Sequence, residues 1–513
     1  MPRTELLLPD RVDASTAADR LAEHVAVVTQ RAHRTDRTFW DTFDGRLHAA
    51  GLALVDTGSR LALTDAQTYA EHAAADLPRG LRRVAAVDLP AGALRERLEP
   101  IVEMRVLEPT VRVRSRLLPV NVLDDLGKIV VRLDAEEPTV LPADGDQIAL
   151  RARLNVAGVR GYDDDYERVL ALLTGVLDLQ PVAQPLHDEA IAAAGGVVGG
   201  TSSKLRVALT PDMRADAAAV AVLHRLLEII EANVPGTLTG ADTEYLHDLR
   251  VAVRRSRALQ RELRGVFPPE PLRVFRAEFR ELQILTGPTR DLDVQLLEFP
   301  DLVATLPAQT APSVAPLRAL LEQRLAAERA TMVRGLRSAR TDTLLDNWRD
   351  FLAALVASAE DERPDAARPI SDVAGERIGK VYRRMVKMGR AIEADSPPEA
   401  LHDLRKKGKE LRYLLEFFAS IYPAEVTKPM VATLKGLQDV LGRFQDREVQ
   451  ADALRALGDE IAALEGGAAA LMAMGVLVQR LGEEQAQARE QFAERFAQFA
   501  AKPQRRLVRQ IFG

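Results

Sequence analysis

Two periods of apolar residues divide the chain. Val111-Arg112-Val113-Arg114-Ser115-Arg116-Leu117 alternates with period two, and so do Lys128–Leu133 and Gln147–Leu154. That alternation marks half-buried strands. Asp163–Leu179 has the spacing of a helix, so residues 1–180 predict an α+β domain. Pro181, Pro185, Gly195, Gly196, Gly199, Gly200, Ser202 and Ser203 then read as a linker over 181–204. From Leu205 onward the period is helical almost throughout, to residue 513. Predicted breaks fall at Pro235-Gly236, Pro268-Pro269, Gly287-Pro288, Pro307–Pro316, Pro364–Pro369, Pro397-Pro398, Pro423 and Gly466-Gly467.

The helical part is internally duplicated. Tyr245-Leu-His-Asp-Leu-Arg250 recurs as Ala400-Leu-His-Asp-Leu-Arg405, an offset of about 155 residues, which is the length of a small domain. The register holds without gaps. Arg254 meets Lys409, Arg257 meets Arg412, Phe267-Pro268 meets Tyr422-Pro423, and Arg273 and Arg280 meet Lys428 and Lys435. Gln283 meets Gln438, Gly287 meets Gly442, and Asp291 meets Asp446. One register matching basic, apolar and turn positions together is poorly explained by chance. It places repeat one at about 205–350 and repeat two at about 365–513.

At about 100° per residue, His247, Arg250, Arg254 and Arg257 fall within an arc of roughly 80°, and Leu246, Leu249, Val253 and Leu259 occupy the other side of the helix from Arg254 and His247. His402, Arg405, Lys409 and Arg412 form the same stripe in the second copy. The following helix adds Arg273, Arg276, Arg280 and Gln283, echoed by Lys428, Lys435 and Gln438. A further stripe, Arg377, Lys380, Arg384 and Lys387, lies on the first helix of repeat two. Like charges stacked at such spacing are unfavourable on an isolated helix and call for acidic neighbours or an anionic ligand. Arginine suits phosphate because its planar guanidinium donates two hydrogen bonds to one group. A basic stripe on one helix is ordinarily a solvated face; its repetition at fixed register points to a ligand. His247 and His402 are candidates both for phosphate contact and for structural hydrogen bonding. Asp248 and Asp403 suit helix N-termini, while Asp291 and Asp446 would cap helices or hold a stripe arginine in place.

Composition narrows this further. Net charge is -6, from 69 Lys+Arg against 75 Asp+Glu, so an anionic partner must be argued from placement. Aromatic residues are only 4% of the chain, which argues against a nucleic-acid binder that stacks bases. With no Cys, disulfides and thiolate metal sites are excluded. No stretch approaches a membrane span and the N-terminus lacks a signal-peptide pattern, so the expectation is a cytoplasmic protein with no membrane partner. Oligomeric state is not encoded legibly.

The elements LHDLRVAVRRSR and LHDLRKKGKELRY, with LTGPTRDLDV and LGRFQDREV downstream, resemble the CHAD domain, named for its histidine-bearing α-helical character. The resemblance covers roughly 205–513. It implies two pseudo-twofold-related four-helix bundles with basic faces on a shared channel, polyphosphate binding, and association with polyphosphate granules. Carried over by position, the ligand residues are His247, Arg250, Arg254, Arg257, His402, Arg405, Lys409 and Arg412; Arg273, Arg280, Lys428 and Lys435 follow.

The first domain resembles a CYTH, or triphosphate tunnel, domain. Phe39-Trp40-Asp41-Thr42-Phe43, the segment Arg46–Leu54 and Arg160-Gly161-Tyr162 carry the likeness. It implies an antiparallel, tunnel-like barrel. That family needs alternating acidic residues and a lysine on its first strand; here Thr4-Glu5-Leu6-Leu7-Leu8-Pro9 offers only Glu5, and Val55-Asp56 stands where a basic residue is expected. Arg112, Arg114 and Arg116, with Arg151 and Arg153, would either line the tunnel or form a solvated strand face. Hydrolysis needs a metal to polarise phosphate or activate water. The expectation is therefore a degenerate domain and a non-enzymatic polyphosphate binder, without catalytic residues, metal or cofactor. The alternative is a metal-dependent triphosphatase or polyphosphatase working through the first domain.

Overall fold

The structure is a computed structural model that describes residues 3–10, 12–76, 80 and 82–512. It divides into two compact units, Met1–Ser203 and Lys204–Gly513.

The first unit is built on one antiparallel sheet. Its strands are β1 (Arg3–Leu7), β2 (Val27–Thr29), β3 (His33–Thr42), β4 (Leu52–Asp56), β5 (Arg60–Asp65) and β6 (Glu71–Asp76), then β7 (Val84–Ala85), β8 (Val106–Leu123), β9 (Ile129–Val140), β10 (Ile148–Ala149), β11 (Arg153–Gly158) and β12 (Gln180–Pro181). The main path runs β12-β1-β11-β9-β8-β3-β4-β5-β6. Tyr69, between β5 and β6, donates from its hydroxyl to Glu5 on β1 at 3.3 Å and so draws the two ends of that path together. Helices α1 (Ala14–Ala22), α2 (Arg46–Ala49), α3 (Ala93–Val102), α4 (Asp163–Gly175) and α5 (Leu186–Ala193) complete the unit. β8 alternates as its sequence predicts: Val111, Val113 and Ser115 are buried while Arg112 and Arg116 are exposed.

Gln147–Leu154 is not one strand. It is split into β10 and β11, and the break sends Arg151 and Arg153, which a continuous strand would hold on one face, to different surroundings. Arg151 reaches Asp10 at 3.1 Å, whereas Arg153 is fully buried. The Gly- and Pro-rich stretch before residue 204 contributes β12, α5 and a glycine loop to this unit.

The second unit is helical. Its first half holds α6 (Ala215–Thr239), α7 (Thr243–Glu262), α8 (Pro269–Leu285), α9 (Gly287–Ala304), α10 (Ala315–Leu336) and α11 (Ala339–Leu355). Its second half holds α12 (Ile370–Arg390), α13 (Pro398–Phe417), α14 (Ala424–Ala456), α15 (Gly458–Ala462), α16 (Gly467–Phe499) and α17 (Lys502–Phe512). The starts of α12, α13 and α14 fall at the register of α6, α7 and α8, and short 3-10 turns at Arg264–Val266 and Ala419–Ile421 match as well. Asp242 caps α7 by accepting from Glu244 N at 2.9 Å, whereas proline opens α8 and α13.

One expected break is absent, and one that is present in repeat one is not repeated in repeat two. Pro235-Gly236 lies inside α6, where Gly236 leaves room for the Tyr245 ring; a Cβ there would meet that ring at 2.2 Å. At the position of Gly287-Pro288, repeat two has Gly442-Arg443, so no proline interrupts the chain and the counterparts of α8 and α9 fuse into α14.

The repeats meet across a pseudo-twofold axis. Ala215 N donates to Arg368 O at 2.9 Å and Ile370 N to Met213 O at 2.8 Å, a bridge whose two halves exchange under the repeat register. One core contains side chains from both repeats, from Leu209 through Trp348 to Phe512, and a second joins Phe299, Leu317, Leu321, Ala451 and Leu477. No helix among the described residues is long and apolar enough to cross a membrane.

Candidate functional site

The site is built where α7 and α13 approach one another. Their apolar faces are buried through Leu246, Leu249, Val253, Leu401, Leu404 and Leu411. Each helix therefore turns its basic stripe away from the core. The crossing is fastened by charge pairs related by the repeat: Arg255 meets Glu416 at 2.6 Å and Arg261 meets Glu410 at 3.1 Å. Both cations come from α7 and both carboxylates from α13, so complementary charge aligns the helices.

Arg254 and Lys409, equivalent residues of the two repeats, act on each other at this crossing. Burial first, and then the positive fields of Arg405 and Arg254, push the Lys409 ammonium down to about 8, with Asp446 acting in the opposite direction. Arg254 carries a buried Nε with no hydrogen-bond partner. Among the described residues, neither Arg254 nor Lys409 forms an ion pair.

Arg250 and Arg405 flank this node. Arg250 donates to Gln283 O and Thr286 Oγ1, both at 2.9 Å. Burial, followed by repulsion from Arg254 and Arg290 against the pull of Asp291, holds its guanidinium below the ordinary value. Arg405 donates to Asp446 Oδ1 at 2.9 Å. Gly287 and Gly442 each stand against one of these guanidiniums, and a Cβ would approach them at 3.6 and 3.7 Å. His247 and His402 are also equivalent: His247 Nδ1 meets Arg290 Nη2 at 3.0 Å, and His402 Nδ1 meets Gln445, which occupies the position of Arg290. His247 thus ties α7 to α9, and His402 ties α13 to α14.

A cleft of about 600 Å³ opens beside the node, between the C-terminal half of α7 and α8. Arg257, Arg261, Arg264, Arg273, Arg276 and Arg280 line it, against one carboxylate, Glu362. Burial and then Arg261, Arg280 and Arg276 hold the Arg257 guanidinium below its ordinary value, as expected for a buried cation among like charges. Gln283 Oε1 accepts from Arg257. Repeat two has Glu416, Ala419 and Val431 where repeat one has Arg261, Arg264 and Arg276, so the charge is concentrated on repeat one.

The other predicted residues are placed differently. Arg377 is bound to the buried Glu262 at 2.5 Å and Arg412 to Glu416 at 2.7 Å. Arg273 pairs with Glu270 at 3.0 Å, and Arg280 lies 3.6 Å from Glu281, both at exposed positions. Lys380, Arg384 and Lys387 occupy the exposed face of α12, and Lys428 and Lys435 that of α14. Sequence reasoning missed Arg261 and Arg264 in the cleft and Arg290 beside His247. Arg290 sits inside the repeated turn motif and was within reach; Arg264 lies in a 3-10 turn, where a helical projection has no meaning.

In the first unit, Arg112 and Arg114 pair with Asp36, both at 2.8 Å, and Arg116 pairs with Glu137 at 3.0 Å, as a solvated strand face. Arg153 alone of that basic set turns inward, to Glu5 at 2.8 Å and to Glu189 of α5. Arg37 is paired with Glu136 nearby.

Fold and site together define a class: a duplicated helical unit that assembles cations from both copies at its pseudo-twofold axis. Residues 221–455 match the family model of the CHAD domain, and the chain carries that domain. Among solved structures it is similar to the crystal structure of the CHAD domain from the plant Ricinus communis, at 23% identity, covering 57% of this chain and 95% of that one, with a TM-score of 0.49. It is also similar to PptA from Streptomyces chartreusis, at 17% identity, covering 55% of this chain and 99% of that one, with a TM-score of 0.42. No curated protein matches it.

Proposed function

We propose that the helical unit binds inorganic polyphosphate where its two repeats meet, and that the chain is a binder rather than a hydrolase. The observation that carries this reading is the gathering of equivalent cations of the two repeats: Arg405 and Arg254 both act on the buried Lys409 against Asp446 alone, and among the described residues neither Arg254 nor Lys409 forms an ion pair. Such a node is electrostatically unfavourable when empty and is relieved by an anion. A phosphate polymer supplies regularly spaced charge that can lie on Arg250, Arg254, Arg405 and Lys409 and continue into the arginine cleft of repeat one. Guanidiniums contribute paired donors to individual phosphates, and the lysine adds a compact charge.

The binder reading is supported in the first unit by pairing: its inward arginines, Arg37 and Arg153, are already matched to Glu136, Glu5 and Glu189. The likeness of that unit to the triphosphate tunnel fold is supported by its antiparallel sheet and these inward charges. Binding to polyphosphate would carry the chain to polyphosphate granules, which localisation with and without cellular polyphosphate would test.

The direct test is titration of the full chain with long-chain polyphosphate at several salt concentrations, with duplex DNA as competitor. Affinity that falls steeply with salt and resists equal phosphate concentrations of DNA is expected. Equal competition by DNA would reject polyphosphate as the preferred polyanion.

A further inference from the structure

A second concave site lies wholly within the first unit and has the opposite character. It is a pocket of about 230 Å³, walled by Phe39, Trp40, Phe43, Leu54, Ile191 and Val197. The glycine loop before residue 201 closes over it. Thr201 N donates to Phe43 O at 2.8 Å, and Gly200 packs so tightly that a Cβ would meet Gly45 N at 2.4 Å. Gly45 and Gly200 have φ of 68° and 72°, so both the approach and the backbone require glycine.

Two buried side chains in this pocket have ring nitrogens without a hydrogen-bond partner. His187 is 5% exposed, and neither ring nitrogen forms a hydrogen bond. Its Nε2 stands 3.3 Å from Asp188 Oδ1 but outside hydrogen-bonding geometry, while the other oxygen of Asp188 is engaged by His48 at 3.3 Å. The Trp40 indole Nε1, at 4% residue exposure, is likewise unpartnered. Buried polar groups are ordinarily satisfied, and leaving one unsatisfied costs on the order of 1–3 kcal/mol.

The lining contains no Lys or Arg. Its acids are occupied: Asp41 accepts from the backbone N–H groups of Thr42, Leu47 and His48, and Glu108 pairs with Arg83 at 3.0 Å. A ligand here must therefore be uncharged. The volume lies below the roughly 300 Å³ at which pockets for drug-sized molecules begin, which fits one small ring system. The His187 ring stacks on Phe39 with centroids 5.5 Å apart, so the wall suits a flat partner. Burial, with a smaller contribution from His48 against the pull of Asp188, lowers the His187 pKa and keeps the imidazole neutral. A neutral imidazole presents one N–H and one bare nitrogen.

The geometry points to a binding site for a small, uncharged heteroaromatic ring with adjacent hydrogen-bond donor and acceptor, the lactam edge of a nucleobase, anchored by His187 and Trp40. The bare nitrogen of the imidazole would accept from the ring N–H, and the indole N–H would donate to the adjacent carbonyl.

Calorimetric titration of the full chain with uracil and with hypoxanthine tests this. Saturable binding of at least one base is expected, weakened about tenfold or more by His187→Phe, which keeps the ring bulk against Phe39, or by Trp40→Phe. The corresponding 5′-monophosphates should gain nothing, because no cation lines the pocket. Absence of saturable binding of either base to the native chain overturns the proposal whatever the variants do. So does unchanged affinity in a His187→Phe protein that melts like the parent.

Discussion

Among the cations of the stripe, Lys409 differs in kind because its charge is conditional. With its pKa at about 8, it is charged at neutral pH and loses that charge as pH rises through 8. Polyphosphate affinity should therefore fall between pH 7 and pH 9, and Lys409→Arg should flatten the profile. Stability of the ligand-free protein should move oppositely. An unfolded lysine titrates near 10.4, so between about 8 and 10.4 the unfolded chain holds more protons and this residue makes stability rise with pH. Denaturant titrations of the wild type and Lys409→Met at pH 7.5 and 9.5 would read that difference; equal pH responses would contradict it. Much of this was legible in the sequence, because the repeat register put Arg254 and Lys409 at equivalent positions and the helical projection put each on its basic stripe. What was not legible is their loss of carboxylate partners relative to Arg377 and Arg412. Those partners, Glu262 and Glu416, depend on which side of each helix meets a neighbour.

Among the helices, the repeat register aligned the start of α7 with that of α13 and the start of α8 with that of α14, because the apolar stripe recurs and Pro268 recurs as Pro423. The α7–α13 crossing was not legible. Arg255 and Glu416 lie in different repeats, and only the folded axis brings them together. Arg255→Ala leaves the partly buried Glu416 to Arg412 alone and should destabilise the unit by about 1 kcal/mol. Arg255→Glu combined with Glu416→Arg should recover most of the loss, measured by helical circular dichroism in urea. Failure of the reversed pair to recover stability would show that the contact is not electrostatic. Pro235 and the uninterrupted α14 mark the opposite limit. A local breaker signal in α6 was overridden by tertiary packing, and an interrupted helix in one repeat did not require interruption in the other.

For the whole molecule, duplication makes one core from two copies and leaves cations at the seam. The copies are also tied away from that seam. Asp216 at the start of α6 and Arg363 before α12 form a pair at 3.2 Å with both side chains fully buried. Arg363 donates besides to Ala359 O and Ser358 O, binding the inter-repeat connection to the first helix. Asp216→Ala leaves a buried guanidinium uncompensated and should cost about 3–5 kcal/mol, seen as a lower urea midpoint for the helical signal. A loss below about 1 kcal/mol would mean that water or a neighbour replaces the carboxylate.

The proposed binding depends on both repeats converging on one anion. The measurement closest to that claim is polyphosphate affinity of the full chain as a function of salt, for wild type, Arg254→Ala, Lys409→Ala and the double variant. Each single change should weaken binding several-fold, and the double change by more than tenfold with a shallower salt dependence. Affinity and salt dependence unchanged in the double variant would place the polyanion elsewhere and contradict the account.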